Sequence, residues 1–246
     1  MSQTMDTAFR RIGSEARQGT FGAPDTWGPS RTYKASRAYD KLIGLTILAL
    51  VAGIAGWAVV PSGIAFLALI VAFVTVLVSW FRMRWAKVLA PIYAVCEGVG
   101  LGAISGLYAS QYSGIIPLAI IFTAGVFLAT LGLYRTGLVR VTPRFASMAM
   151  IGAGGLIAVG ILSLFIALPI FNAASPLWAI FGVLCLFIAV TNLFVDFDYV
   201  QRAEAMRMPA EAEWASAFAM MTALVLVYLS ILRILAMFAG GGGRRR

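Results

Sequence analysis

The chain offers chemistry from few residue types. It has ten acidic residues among 246 and no histidine. Glu97 stands within an apolar stretch, Tyr93-Ala-Val-Cys-Glu-Gly-Val-Gly-Leu-Gly. Asp196 and Asp198 close another, in Phe-Val-Asp-Phe-Asp-Tyr. Glu211 and Glu213 precede the last apolar stretch, and Arg233 lies late within it. Carboxylates can bind hard cations or exchange protons. A carboxylate set among apolar residues of membrane-spanning length marks a functional site by default. Without histidine, Ser-His and Cys-His catalysis, His metal ligation and the usual near-neutral pH switch are absent. Cys96 and Cys185 lie far from any zinc-type spacing and read as small buried hydrophobes. The last lysine is Lys87, so the final apolar stretch has no lysine for a retinal Schiff base. The expectation is a protein that is not an enzyme, has no cofactor and has no firm metal site.

The elements that position these residues follow from composition. Hydrophobic residues make up 61% and charged residues 12%, against about 25% charged in a soluble domain. Lipid must absorb that surface. Spans are predicted at Leu42–Val60, Gly63–Phe81, Ala86–Tyr108, Ile115–Tyr134, Phe145–Ile170, Pro176–Val195 and Trp214–Ala239. Each is long enough to cross a core of about 30 Å as a helix, and in lipid the backbone must satisfy itself. The last span is the weakest, and a re-entrant course there would leave six crossings. The predicted organisation is a disordered cytoplasmic tail over 1–40, a seven-helix membrane domain over 41–239 and a Gly/Arg tail over 240–246.

Charge orients the bundle. Arg82, Arg84 and Lys87 follow the second span, Arg135, Arg140 and Arg144 the fourth, and Arg202 and Arg207 the sixth. The intervening connections carry neither Lys nor Arg. The positive-inside rule places the N-terminus and the basic loops in the cytoplasm of an inner, plasma-type membrane. Trp57, Trp80, Trp85, Trp178 and Trp214 fall near span ends, as interfacial anchors do. The net charge of +9 then reflects topology and contact with anionic lipid, and no nucleic-acid partner is expected.

Within this frame each polar residue has a plain reading and a functional one. Glu97, eleven residues past Ala86, lies about 16 Å deep, near the bilayer centre. It is either a protonated group bonded to a neighbouring helix or part of an ion pathway. Ala94, Gly98, Gly102 and Gly106 form a small-residue stripe about 100° around the helix from Glu97, and packing is their simpler use. Asp196 and Asp198 sit at the cytoplasmic mouth, at the expected C-terminus of the sixth helix, where negative charge is disfavoured. They are solvated interfacial acids or a gate, and Arg84 is at the right level to pair with one of them. Glu211 and Glu213 read first as acids favoured at a helix N-terminus. Arg233 snorkels outward or pairs inside the bundle.

These segments, with Leu133-Tyr-Arg-Thr-Gly-Leu-Val-Arg-Val-Thr, Val195-Asp-Phe-Asp-Tyr and Glu213-Trp followed by Tyr228-Leu-Ser-Ile-Leu-Arg, resemble the transmembrane Bax inhibitor motif family in its bacterial Bax inhibitor-1/YccA-like branch. The resemblance spans most of Asp40 to Phe238 and rests on the order and spacing of the segments together. It implies a seven-helix bundle with the last helix central. It also implies a pH-sensitive calcium leak gated by two aspartates and an arginine. Asp196 matches the sixth-helix aspartate and Arg84 the arginine. The seventh-helix aspartate falls at about Ala223, which cannot ionise, and the second-helix acid falls in the apolar stretch Ile70–Val76. Asp198 and Glu97 are the expected substitutes.

Two functions follow as expectations. One is a passive cation leak, Ca²⁺ foremost, with Ca²⁺ as the transported ion. The other is a non-conducting interaction protein that regulates a membrane AAA protease through its N-terminal tail. The lipid bilayer is a partner in both.

Overall fold

Backbone amides in an apolar run have no water to bond, so the runs become helices. A computed structural model describes residues 32–58, 61–81, 85–165 and 176–241, and these form seven helices. They are α1 (Ala35–Ala58), α2 (Ser62–Phe81), α3 (Ala86–Gln111), α4 (Ile115–Arg135), α5 (Pro143–Phe165), α6 (Pro176–Ala205) and α7 (Ala212–Gly241). Five of them, α1, α3, α4, α6 and α7, are long and apolar enough to cross a membrane. Shorter apolar stretches, Gly63–Ser79 and Pro143–Val159, lie in α2 and α5. The last helix is continuous from Ala212 to Gly241 and is long and apolar enough to cross a membrane. Two glycines make the turns around α4: Gly114, at φ 77°, precedes it and Gly137, at φ 72°, follows it. Both angles lie in the left-handed region that glycine adopts without cost.

Packing is uneven. α1 lies against α3 over most of its length, and α2 covers another side of α3. α5 packs chiefly on α6. α7 packs on α6, α1, α4 and α3. Phe218, Met220, Met221, Ala223, Val227, Ile231 and Leu232 are buried, while Ala219, Thr222, Leu226 and Leu229, on another side of the helix, are only partly so.

The α1–α3 contact explains the small-residue stripe. A Cβ added at Gly98 would meet the Ala49 backbone, with Ala49 Cα at 2.9 Å. One added at Gly102 would meet the Gly53 carbonyl, and one at Gly56 the Val99 backbone. The helices therefore touch backbone to backbone. Gly106 is looser, its nearest neighbour being the Trp57 ring at 3.7 Å. Gly100 faces the other way, against Leu69 of α2.

Two helix boundaries differ from expectation. α1 begins at Ala35 rather than Leu42, so the last part of the segment assigned to the tail is structured; residues 1–31 lie outside the described residues. α6 continues past Val195 to Ala205. Asp196 and Asp198 are thus inside a helix rather than at its C-terminus. The extension carries its own reasons: Val200 and Ala203 are buried, and Asp198 pairs with Arg202 one turn on.

Candidate carboxylate sites along the last helix

On α3, Tyr93, Glu97, Ile104, Ser105 and Tyr108 follow helical spacing on one side. The rings of Tyr93 and Phe218 of α7 meet edge to face at 5.1 Å. Two turns beyond Glu97, Ser105 Oγ donates to the Leu101 carbonyl at 2.6 Å. Its one proton is thereby used, so the Tyr228 hydroxyl of α7 donates to Ser105 Oγ at 2.8 Å. Glu97 lies between these two pins, and so faces α7 at about the level of Met221 to Ala223. It is 8% exposed and has no hydrogen bond or ion pair among the described residues. Ala223, where the resemblance calls for an acid, is itself buried.

On α6, the buried residues Ala189, Leu193, Val200 and Ala203 form one stripe. Asp196 is three residues beyond Leu193 and four before Val200, so it falls within that stripe. It is partly exposed and has no hydrogen bond or ion pair among the described residues. Asp198 points elsewhere. Arg202 Nε lies 2.6 Å from its Oδ2, and the Tyr134 hydroxyl of α4 lies 3.4 Å from its Oδ1 and 3.2 Å from Gln201 Oε1. Arg202 also donates to the Val141 carbonyl at 3.3 Å. The two aspartates therefore have separate environments. The proposed partner Arg84 lies outside the described residues.

Glu213 does more than sit in the first turn of α7. It is 2% exposed and its carboxylate crosses to the start of α1. Lys41 Nζ lies 2.6 Å from Oε2, the Lys34 backbone amide donates to Oε1 at 3.1 Å, and Arg37 approaches Oε1 at 4.0 Å. Lys41 Nζ also lies 4.8 Å from the Trp214 ring centre. Around this ion pair the chain is fastened twice more. Tyr33 N donates to the Met208 carbonyl at 2.8 Å, and Thr32 and Pro209 form an antiparallel bridge. The Tyr33 side chain is 1% exposed. Its hydroxyl lies 2.8 Å from Ser216 Oγ, and burial pushes its pKa up to about 12. Glu211 is exposed. No sequence signal pointed to this clamp, because its partners are 172 and 179 residues apart. Arg233 stays within the bundle, its guanidinium 5.1 Å from the Phe181 ring centre and beside Cys185.

Helices of this length and hydropathy, with acids buried among them, define an α-helical multi-pass membrane protein. A family model described as "Bax inhibitor 1 like" matches residues 15–240, and the chain belongs to that family. The comparison with curated proteins finds no match.

Proposed function

We propose that this chain is a seven-span bundle arranged around its last helix, which passes cations, Ca²⁺ foremost, along a path marked by Glu97 and Asp196. One observation carries the reading: the two acids stand on faces of α3 and α6 turned toward α7, and neither has a protein partner among the described residues. Hard cations prefer carboxylate and carbonyl oxygens, and the chain has no histidine to sense protons. Asp198, tied to Arg202 and Tyr134, lies about half a helical turn nearer the basic loops. Arg84 is the expected basic partner for Asp196. The N-terminus and basic loops face the cytoplasm of a bacterial inner membrane. The ion is cargo, and no resident cofactor is required. Calcium flux into proteoliposomes tests the reading. Glu97→Gln and Asp196→Asn should each lower it about tenfold, which corresponds to about 1.4 kcal/mol. Unchanged flux in both variants overturns it.

A second reading, an interaction protein that regulates a membrane AAA protease, draws on the clamp. Thr32, the first described residue, is fastened to the loop between α6 and α7. A partner holding the tail would pull directly on that loop. Removing residues 1–31 should abolish co-purification of the protease while leaving flux intact. Undiminished co-purification counts against this reading alone.

A further inference from the structure

An open crevice of about 450 Å³ lies where α1 begins and where α4 and α6 end. Ala35 and Tyr39 line it from α1, Leu131 and Arg135 from α4, and Gln201 and Glu204 from α6. All three helices are long and apolar enough to cross a membrane, so the crevice opens at the depth of lipid headgroups. Its wall carries one cation and one anion that do not pair, since no N···O approach of 4.0 Å or less joins Arg135 to Glu204. The Arg135 guanidinium has no hydrogen bond among the described residues. Glu204 is fixed by one oxygen only, Oε1, which accepts from the Ala35 backbone amide at 3.3 Å. Gln201 receives the Tyr134 hydroxyl on its Oε1 at 3.2 Å, which leaves its amide nitrogen to donate. Arg202, the nearest other cation on α6, is already neutralised by Asp198 at 2.6 Å.

We infer that this crevice binds a phosphoethanolamine group. Its phosphate meets Arg135, as guanidinium suits phosphate oxygens, with the Gln201 amide as a second donor. Its ammonium meets the open oxygen of Glu204. A purely anionic group would place a phosphate against Glu204 with nothing to offset it, and a trimethylated amine could not donate to that carboxylate. The group has two sources, the headgroup of phosphatidylethanolamine and free O-phosphoethanolamine.

The full chain in nanodiscs of equal parts phosphatidylethanolamine, phosphatidylglycerol and phosphatidylcholine provides the test, with retained lipid counted by native mass spectrometry. Phosphatidylethanolamine should be retained over both others. Arg135→Gln should lower its retention about tenfold. Glu204→Gln keeps an oxygen for the Ala35 amide, so the fold is held, and it should remove the preference over phosphatidylglycerol. Calorimetry with O-phosphoethanolamine on lipid-free protein in detergent separates the sources: binding there assigns a soluble ligand, and retention in nanodiscs without it assigns the leaflet. Equal retention of the three lipids with no binding of O-phosphoethanolamine overturns the inference. So does a lipid preference unchanged in Arg135→Gln.

Discussion

Lys41 is the closest cation to a carboxylate that water barely reaches, and that makes it the most consequential single side chain outside the bundle's interior. Lys41→Met leaves Glu213 with the Lys34 amide and a guanidinium at 4.0 Å. Removing one partner of a buried pair costs about 3 kcal/mol or more, and Lys41 is itself 22% exposed, so a loss of about 2–3 kcal/mol is expected in thermal unfolding of the detergent-solubilised protein. Tyr33 supplies a pH dependence. Ser216 Oγ donates to the Ala212 carbonyl at 3.0 Å, so the Tyr33 hydroxyl must donate to Ser216, and a phenolate cannot. Its pKa is raised from 10 to about 12, chiefly by burial. The neutral phenol is thus the folded form. Its contribution is complete below pH 10 and is lost as pH rises through 12, up to about 3 kcal/mol. The midpoint of unfolding should fall more steeply between those pH values than it does in Tyr33→Phe. An equal slope in the two proteins refutes this assignment. Residue types did point to Glu97, Asp196 and Asp198 as the acids worth attention. Glu213 looked like an ordinary acid at a helix start, because a local reading sees the N-terminus it sits on and not the chain folded back over it.

At the level of elements, the contact of α1 with α3 tolerates no side chain. Gly102→Ala places a methyl against the Gly53 carbonyl, and overpacking of this kind costs about 1–3 kcal/mol. Gly125→Ala in α4 is the control, since nothing lies within 4 Å of the added carbon. It should gain about 0.5–1 kcal/mol from helix propensity. The two midpoints should therefore move in opposite directions, and a common direction would mean that α1 and α3 do not meet along this stripe. Most helices were readable because hydrophobic runs separated by charged or glycine-bearing loops leave little choice in lipid. The ends were less readable. The continuation of α6 was present in the sequence as Asp198 and Arg202 at i and i+4, with buried Val200 and Ala203 between and beyond them. Hydropathy falls there, so a rule that ends a helix where apolarity ends stops too soon. The early start of α1 is hidden for the same reason, its polar first turns being held by the clamp.

For the whole molecule, the clamp decides where the tail can be cut. Removal of residues 1–31 leaves Tyr33, Lys34 and Lys41 in place. Removal of residues 1–36 takes away Tyr33 and the Lys34 amide, and should lower the unfolding temperature by about 5 °C or more relative to the shorter deletion. Equal midpoints would show that the clamp adds nothing to the fold. The close seam between α1 and α3 bears on motion as well as stability. Two helices in backbone contact have no rotamers between them with which to absorb a shift. They behave as one stiff plank, and α2 rides on it. The contacts of α7 with α3 are of another kind, a hydroxyl pair and an aromatic edge, which can break and re-form. Glu97 is thus carried on the plank, while Asp196, on α6, stands outside it.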